Sequence, residues 1–159
     1  MPQIGENDYR DGATERLVVS RLLIEDNKFS VGVDLAGRAV EGMFRALIWK
    51  AESYRLGQKP LERKSLETGH DLRKLWKWVE KLGLSPGHED EVRSQVQMIA
   101  RRWHNNMRFV PARWVESYWR ELGAVTNRNT MKYAAKEFYD ACSMIIRRCE
   151  VLYGKADKS

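Results

Sequence analysis

The sequence predicts an all-α fold: an up-and-down helical bundle of about five main helices plus a short one. Apolar residues recur at spacings of three and four along most of the 159-residue chain. Only 4 prolines interrupt it, and no segment of useful length alternates apolar and polar residues as a strand does. A chain of this size folds as one domain and buries enough surface to need no disulfide or metal.

The limits of the bundle are predicted from the polar ends of the chain. We expect residues 14–153 to form the bundle, residues 1–13 a flexible N-terminal segment, and residues 154–159 a frayed tail. The N-terminus does not resemble a signal peptide. No apolar run approaches the roughly 18 residues that a membrane-spanning helix needs. We therefore expect a soluble, cytoplasmic protein without a membrane partner.

Two helices are predicted first. One runs from about Thr14, whose hydroxyl is a candidate N-cap, to Asp26. After a break at 27–30, the second helix, Val33–Tyr54, has the clearest helical period of the chain. Its apolar residues are Val33, Ala36, Val40, Met43, Phe44, Leu47, Ile48 and Ala51.

The middle of the chain alternates breaks and amphipathic helices. A break at Gly57–Pro60 and a basic linker, Leu61–Gly69, precede a short helix, Asp71–Leu82, with an apolar stripe and a basic back. A turn at Ser85–Gly87 leads to the fourth helix, Glu89–Asn105. Its acidic start and basic end suit the helix dipole.

The last third of the chain predicts two more helices. Pro111 enforces a break, and the short helix Ala112–Glu121 follows and ends at Gly123. The last helix, Thr130–Tyr153, keeps a four–three alternation of apolar residues throughout. That alternation is typical of a seam between packed helices.

The two cysteines, Cys142 and Cys149, lie seven residues apart on the predicted last helix. That spacing is about 10.5 Å of helical rise, which is beyond the reach of a disulfide. Buried free thiols are therefore expected. No Cys/His cluster has zinc-site spacing, and no glycine-rich phosphate loop is present. We expect neither a metal nor a cofactor.

The charge of the chain suggests a polyanionic partner. The net charge is +6, which favours nucleic acid, although solubility alone also accounts for it. Five arginines and one acid, Glu116, lie between Arg101 and Arg120, among several aromatic residues. Arginine matches phosphate oxygens, and aromatic rings stack on unpaired bases. The expected binding residues are Arg101, Arg102, Asn105, Asn106, Arg108 and Arg113. In the competing interpretation, Trp103 and Phe109 are core anchors and the arginines form a solvated face.

His104 is the candidate catalytic residue. On a continuous helix it shares a face with Arg101 at i,i+3. A histidine and an arginine supply the proton-transfer group and the cation that a metal-independent ribonuclease needs.

Three segments of the chain carry a family resemblance. Asp34–Leu47 (DLAGRAVEGMFRAL) resembles the second helix of HEPN domains, the higher-eukaryote and prokaryote nucleotide-binding family. Thr68–Leu75 (TGHDLRKL) is similar to the start of the next helix in that family, and Arg102–Pro111 to the end of the fourth helix in some members. The resemblance covers about Thr14 to Leu152.

This resemblance implies an up-and-down bundle that is often a homodimer. It also implies either metal-independent RNA cleavage or non-catalytic binding of RNA or nucleotides. Nuclease members carry an arginine and a histidine with four to six residues between them on a late helix. No arginine stands at that distance before His104. The expectation is therefore a member without the standard nuclease motif.

Three hypotheses about function follow. The leading one is a non-catalytic module that binds RNA, a nucleotide or a protein partner in a prokaryotic defence or toxin–antitoxin setting. A cognate antitoxin or nucleotidyltransferase is the expected protein partner. The second is an endoribonuclease toxin that uses His104 and a neighbouring arginine. The third is a dimerisation module with an exposed apolar face around Trp114, Tyr118 and Trp119.

Overall fold

The computed structural model describes residues 4–56, 69–83 and 89–155. Within these ranges it contains six α-helices, one short 3₁₀ helix and no strand, which confirms the predicted all-α bundle. The helices are α1 (Glu6–Glu25), α2 (Phe29–Leu56), α3 (Leu72–Lys81), α4 (Glu89–Arg102), the 3₁₀ helix (Asn105–Phe109), α5 (Ala112–Glu121) and α6 (Met131–Lys155). No helix within these ranges combines the length and apolar content that crossing a membrane requires.

Helix α2 is the centre of the bundle. It contacts α1, α3, the 3₁₀ helix, α5 and α6. A helix with neighbours on several sides needs apolar residues on more than one face, and α2 buries Ala39 and Ala46 in addition to the predicted stripe. Every apolar residue that the sequence assigned to this stripe is fully buried, so the predicted period is confirmed.

The first helix is longer than predicted. It begins at Glu6, so residues 6–13, expected as part of a flexible segment, are helical. Thr14 lies inside α1, and its hydroxyl donates to the Arg10 carbonyl oxygen at 3.1 Å instead of capping a helix. The start of α1 is held from across the bundle, because the Arg10 guanidinium pairs with the Glu150 carboxylate on α6 at 2.7 Å. That contact joins the two ends of the chain.

Helices α3 and α5 have ends that depend on residues close to them in the sequence. Asp71 caps α3, and its Oδ1 accepts hydrogen bonds from the backbone N–H groups of Arg73 at 2.9 Å and Lys74 at 3.2 Å. Helix α5 spans the predicted residues. The predicted break at Gly57–Pro60, residues 61–68 of the linker, the turn at Ser85–Gly87 and residues 156–159 of the tail lie outside the described residues.

The C-terminal helix carries both cysteines in the core. Cys142 and Cys149 are fully buried free thiols, as predicted. Burial raises the pKa of each thiol well above its usual range, because the thiolate has no solvation there. Near the end of α6, burial raises the pKa of the Tyr153 hydroxyl to about 12. Helix α6 continues to Lys155, two residues beyond the predicted bundle.

Candidate nucleic-acid interface

Trp103 anchors the C-terminal end of α4 to the centre of the fold. Its side chain is buried, and its indole N–H donates to the Asp34 carbonyl oxygen at 3.2 Å. The indole lies directly on Gly37 of α2, where a Cβ atom would be 2.3 Å from the ring. Only a residue without a side chain permits this approach. The core interpretation of Trp103 is therefore correct, whereas Phe109 is 72% exposed.

Helix α4 ends at Arg102, earlier than the predicted Asn105, because side chains of α5 bind its last carbonyl groups. The Tyr118 hydroxyl donates to the Arg101 carbonyl oxygen at 2.8 Å, and the Trp119 indole N–H donates to the Arg102 carbonyl oxygen at 3.0 Å. These bonds satisfy acceptors that a helix end leaves without partners inside the helix. His104, with φ −127° and ψ 142°, is extended.

The extended backbone at His104 removes a premise of the ribonuclease hypothesis. Arg101 and His104 are not at i,i+3 on one helix, so they do not share a helical face. His104 Nε2 lies 2.9 Å from the Tyr118 hydroxyl. Since Tyr118 donates its only proton to the Arg101 carbonyl, Nε2 must be the donor in this bond. Catalysis by His104 stays a prediction that this geometry does not favour.

His104, Tyr118 and Trp114 form an aromatic cluster on the surface. The Trp114 ring stacks on Tyr118 with a centroid distance of 5.3 Å and an interplanar angle of 22°. The His104 ring meets Tyr118 edge-on at 5.3 Å. Trp114 is 43% exposed, whereas Trp119 is fully buried. An apolar face was expected around Trp114, Tyr118 and Trp119 of α5. Because Trp119 is buried, only Trp114 and part of Tyr118 contribute to it.

Asn105 connects the 3₁₀ helix to α2. The Arg38 guanidinium donates to Asn105 Oδ1 at 3.1 Å and to the Asn105 carbonyl oxygen at 2.9 Å. The same guanidinium pairs with Asp34 at 3.0 Å. Both oxygens of Asn105 are therefore engaged by Arg38, and we assign this predicted binding residue a role in holding the interface in place.

A basic groove lies between α3, α4 and the end of α5. Its volume is about 390 Å³, and the lining residues are Arg73, Ser94, Gln97, Met98, Arg101, Arg102 and Leu122. Among the described residues, three arginines and no carboxylate line it. Arg73 was not among the predicted binding residues. In the sequence, the only indication for Arg73 was its position on the basic face of α3. It lines the same groove as Arg101 because α3 packs against α4.

The arginines of the basic groove differ in their partners. Arg102 pairs with Glu137 of α6 at 2.6 Å, and its side chain is 17% exposed. Arg101 is exposed and forms no ion pair with a described residue. Glu137 also lines a second groove of about 550 Å³ between α4 and α6, which we call the acidic groove. Its charged lining residues are Glu91, Lys136, Glu137 and Asp140.

The remaining predicted binding residues lie on the surface. Asn106, Arg108 and Arg113 are exposed. The Arg108 guanidinium lies 4.5 Å from the centre of the exposed Phe109 ring. Within the described part of the chain, no hydrogen bond or ring contact joins these residues to the basic groove. The structure thus brings together Arg101 and Arg102 with Arg73, and it leaves Arg108 and Arg113 outside that groove.

A buried charged cluster holds the start of α3 against α2. Glu41 Oε1 lies 3.0 Å from Arg45 Nη2 and 2.6 Å from His70 Nδ1. Arg45 also donates to the Gly69 carbonyl oxygen. The side chains of Glu41 and Arg45 are each only 9% exposed. This cluster fixes the residues just before α3, the helix that carries Arg73, against α2.

Comparisons of the chain with protein-family models, with curated proteins and with solved structures returned no match. The described residues include no group of three or more side chains suited to hold a metal ion. The functional argument therefore starts from the basic groove and the aromatic cluster.

Proposed function

We propose that this protein binds RNA in the basic groove, as a non-catalytic HEPN-like module of a prokaryotic defence or toxin–antitoxin system. The observation that carries the proposal is the set of three arginines that line one groove to which no described carboxylate contributes. Guanidinium groups bind phosphate oxygens through paired hydrogen bonds. The resemblance of the α2 and α3 segments to HEPN domains supports RNA as the polyanion. A homodimer and a cognate antitoxin or nucleotidyltransferase remain predictions from that resemblance.

Two of the arginines are ready to bind phosphate. Arg73 and Arg101 are exposed and form no ion pair with any described residue, so an incoming phosphate displaces none of the described carboxylates from them. Arg102 is different, because its guanidinium is held by Glu137. Ser94 and Gln97 add uncharged hydrogen-bond donors to the same groove. The groove thus offers strong phosphate contacts and weaker contacts to sugar or base.

The direct test measures the binding of a short fluorescent oligouridylate by anisotropy at several salt concentrations. Two phosphate contacts, to Arg73 and Arg101, predict a slope of log K against log [salt] of about −1.4 for a single-stranded ligand. The Arg73→Ala/Arg101→Ala variant should bind more weakly, with a slope close to zero, because Arg102 stays paired with Glu137. The matched control is Arg16→Ala/Arg21→Ala, which removes the same charge from α1. Absence of binding at low salt, or equal losses in both variants, would refute the proposal.

Removing the Glu137 carboxylate should strengthen RNA binding. Glu137→Gln breaks the ion pair with Arg102, so the guanidinium becomes available to a phosphate. A negative charge is also removed beside the groove. We expect an increase in affinity of about fivefold, which corresponds to the upper end of the measured strength of an exposed ion pair. Glu116→Gln is the control, because it removes an equal charge from an exposed pair with Arg120 on α5. An unchanged affinity in Glu137→Gln would show that Glu137 does not compete with the ligand.

A further inference from the structure

We infer that the RNA is bound as a single strand, with one unpaired base stacked on Trp114 and the adjoining phosphates in the basic groove. This inference rests on the proposed function and adds a specificity to it. It depends on three features of α5: an exposed aromatic face, an indole N–H without a partner among the described residues, and continuity with the basic groove.

Trp114 is the outer ring of the aromatic cluster, and one face of its indole remains available to a ligand. Trp114 is 43% exposed although one side of its indole is stacked on Tyr118. The indole N–H of Trp114 makes no hydrogen bond to a described residue, in contrast to those of Trp103 and Trp119. A flat aromatic surface with a free donor at its edge suits a nucleic-acid base, which has both a π-face and acceptor atoms.

The Tyr118 ring, on which Trp114 stacks, is held in a fixed position by two hydrogen bonds. Its hydroxyl group is bonded to the Arg101 carbonyl oxygen at 2.8 Å and to His104 Nε2 at 2.9 Å. A preorganised ring loses little entropy when a ligand stacks on its neighbour. His104 therefore acts in this site as a positioning residue for the aromatic cluster.

The aromatic cluster and the basic groove are parts of one surface. Trp114, Tyr118 and Leu122 follow each other at intervals of four residues, which places them on one side of α5 and its C-cap. Leu122 lines the basic groove, and Tyr118 is bonded to the backbone of Arg101, whose side chain also lines it. A strand whose phosphates follow the arginines thus passes beside the Trp114 face.

This arrangement selects against duplex RNA. In a double helix the base faces are covered by their neighbours in the stack, so a Trp114 ring has nothing to stack on. Unpaired bases expose that face. The arginines alone would bind both forms, because they contact only the phosphates.

The experiment compares three probes of equal length: oligouridylate, the same ribose-phosphate chain without bases, and a duplex. We expect Trp114→Ala to weaken oligouridylate binding roughly tenfold, the usual cost of losing one stacked base. Binding of the abasic chain should not change. Trp114→Phe should retain most of the affinity. Tyr133→Ala is the control, since Tyr133 is an aromatic residue in the acidic groove that is even more exposed than Trp114, at 67%.

The outcomes separate the two proposals. If Trp114→Ala binds oligouridylate as the wild type does while Arg73→Ala/Arg101→Ala loses affinity, RNA binding stands and base stacking is refuted. Equal wild-type affinity for oligouridylate and for the abasic chain also refutes stacking. If the wild type binds none of the three probes, the proposed function fails and stacking fails with it. Circular dichroism of each variant shows that the helices are intact.

Discussion

Replacing Gly37 with alanine is expected to destabilise the protein by about 3 kcal/mol, near the upper end of the cost of overpacking a core. The added methyl group would lie 2.3 Å from the Trp103 ring, where no atom fits. Either α2 and α4 separate or the indole leaves its site. In both cases the protein loses buried contacts of a tryptophan and its hydrogen bond to Asp34.

The matched control for Gly37→Ala is Gly12→Ala in α1. A Cβ at Gly12 meets only the end of the Arg16 side chain, which can move aside. Alanine is also favoured over glycine in a helix by up to about 1 kcal/mol. Gly12→Ala should therefore leave the free energy of unfolding unchanged or raise it. Urea unfolding followed by far-UV circular dichroism measures both variants.

A double-mutant cycle identifies the cause of the Gly37 effect. In a Trp103→Ala background the clash is absent, so Gly37→Ala should cost little there. An equal loss in both backgrounds would mean that Trp103 is not responsible. Trp103 precedes His104 and follows Arg102, so the single variant should also weaken RNA binding at temperatures where it remains folded.

Replacing Arg45 with methionine is expected to cost about 3–5 kcal/mol, because among the described residues it leaves the buried Glu41 carboxylate with only the half-exposed His70 as a side-chain partner. Glu41 and Arg45 have side chains that are each 9% exposed, so water replaces little of the lost interaction. Arg45 also satisfies the Gly69 carbonyl group before α3. Thermal and urea unfolding of the variant measure the loss.

Two further variants test whether burial is the reason. The Glu41→Leu/Arg45→Met double variant removes both charges and should recover much of the stability, since an apolar pair needs no compensation. Arg120→Met breaks an ion pair in which both side chains are about half exposed. Such a pair contributes about 0.5 kcal/mol or less. Similar losses in Arg45→Met and Arg120→Met would contradict the assigned role of the buried cluster.

Elements that depend on residues close in the chain were predictable. The α2 stripe from Val33 to Ala51 is buried as its period indicated, and Asp71 caps α3 as short polar residues do at helix starts. Helix α5 has its predicted bounds because Pro111 lies just before its first residue and Gly123 lies just after its C-cap. The start of α1 was missed, since the contact that holds it, between Arg10 and Glu150, spans almost the whole chain.

The candidate site was predictable only in part. The density of arginine and aromatic residues after Arg101 indicated the correct region. Three of its features could not be predicted from the sequence: Arg73 lines the basic groove from another helix, Glu137 forms an ion pair with Arg102, and Tyr118 is hydrogen-bonded to His104. Each brings together residues separated by fourteen or more positions, which no local spacing in the sequence indicates.

By itself, the amino-acid sequence determined the all-α class, the central helix and the basic character of the region after Arg101. Those properties follow from apolar period, capping residues and charge, which act over one or two helical turns. Only the tertiary structure decided which arginines share a groove, where α4 ends and which aromatic face remains exposed. The reason is that contacts between helices set these features. Examples are the close approach of the Trp103 indole to Gly37 of α2 and the ion pair of Arg102 with Glu137 of α6.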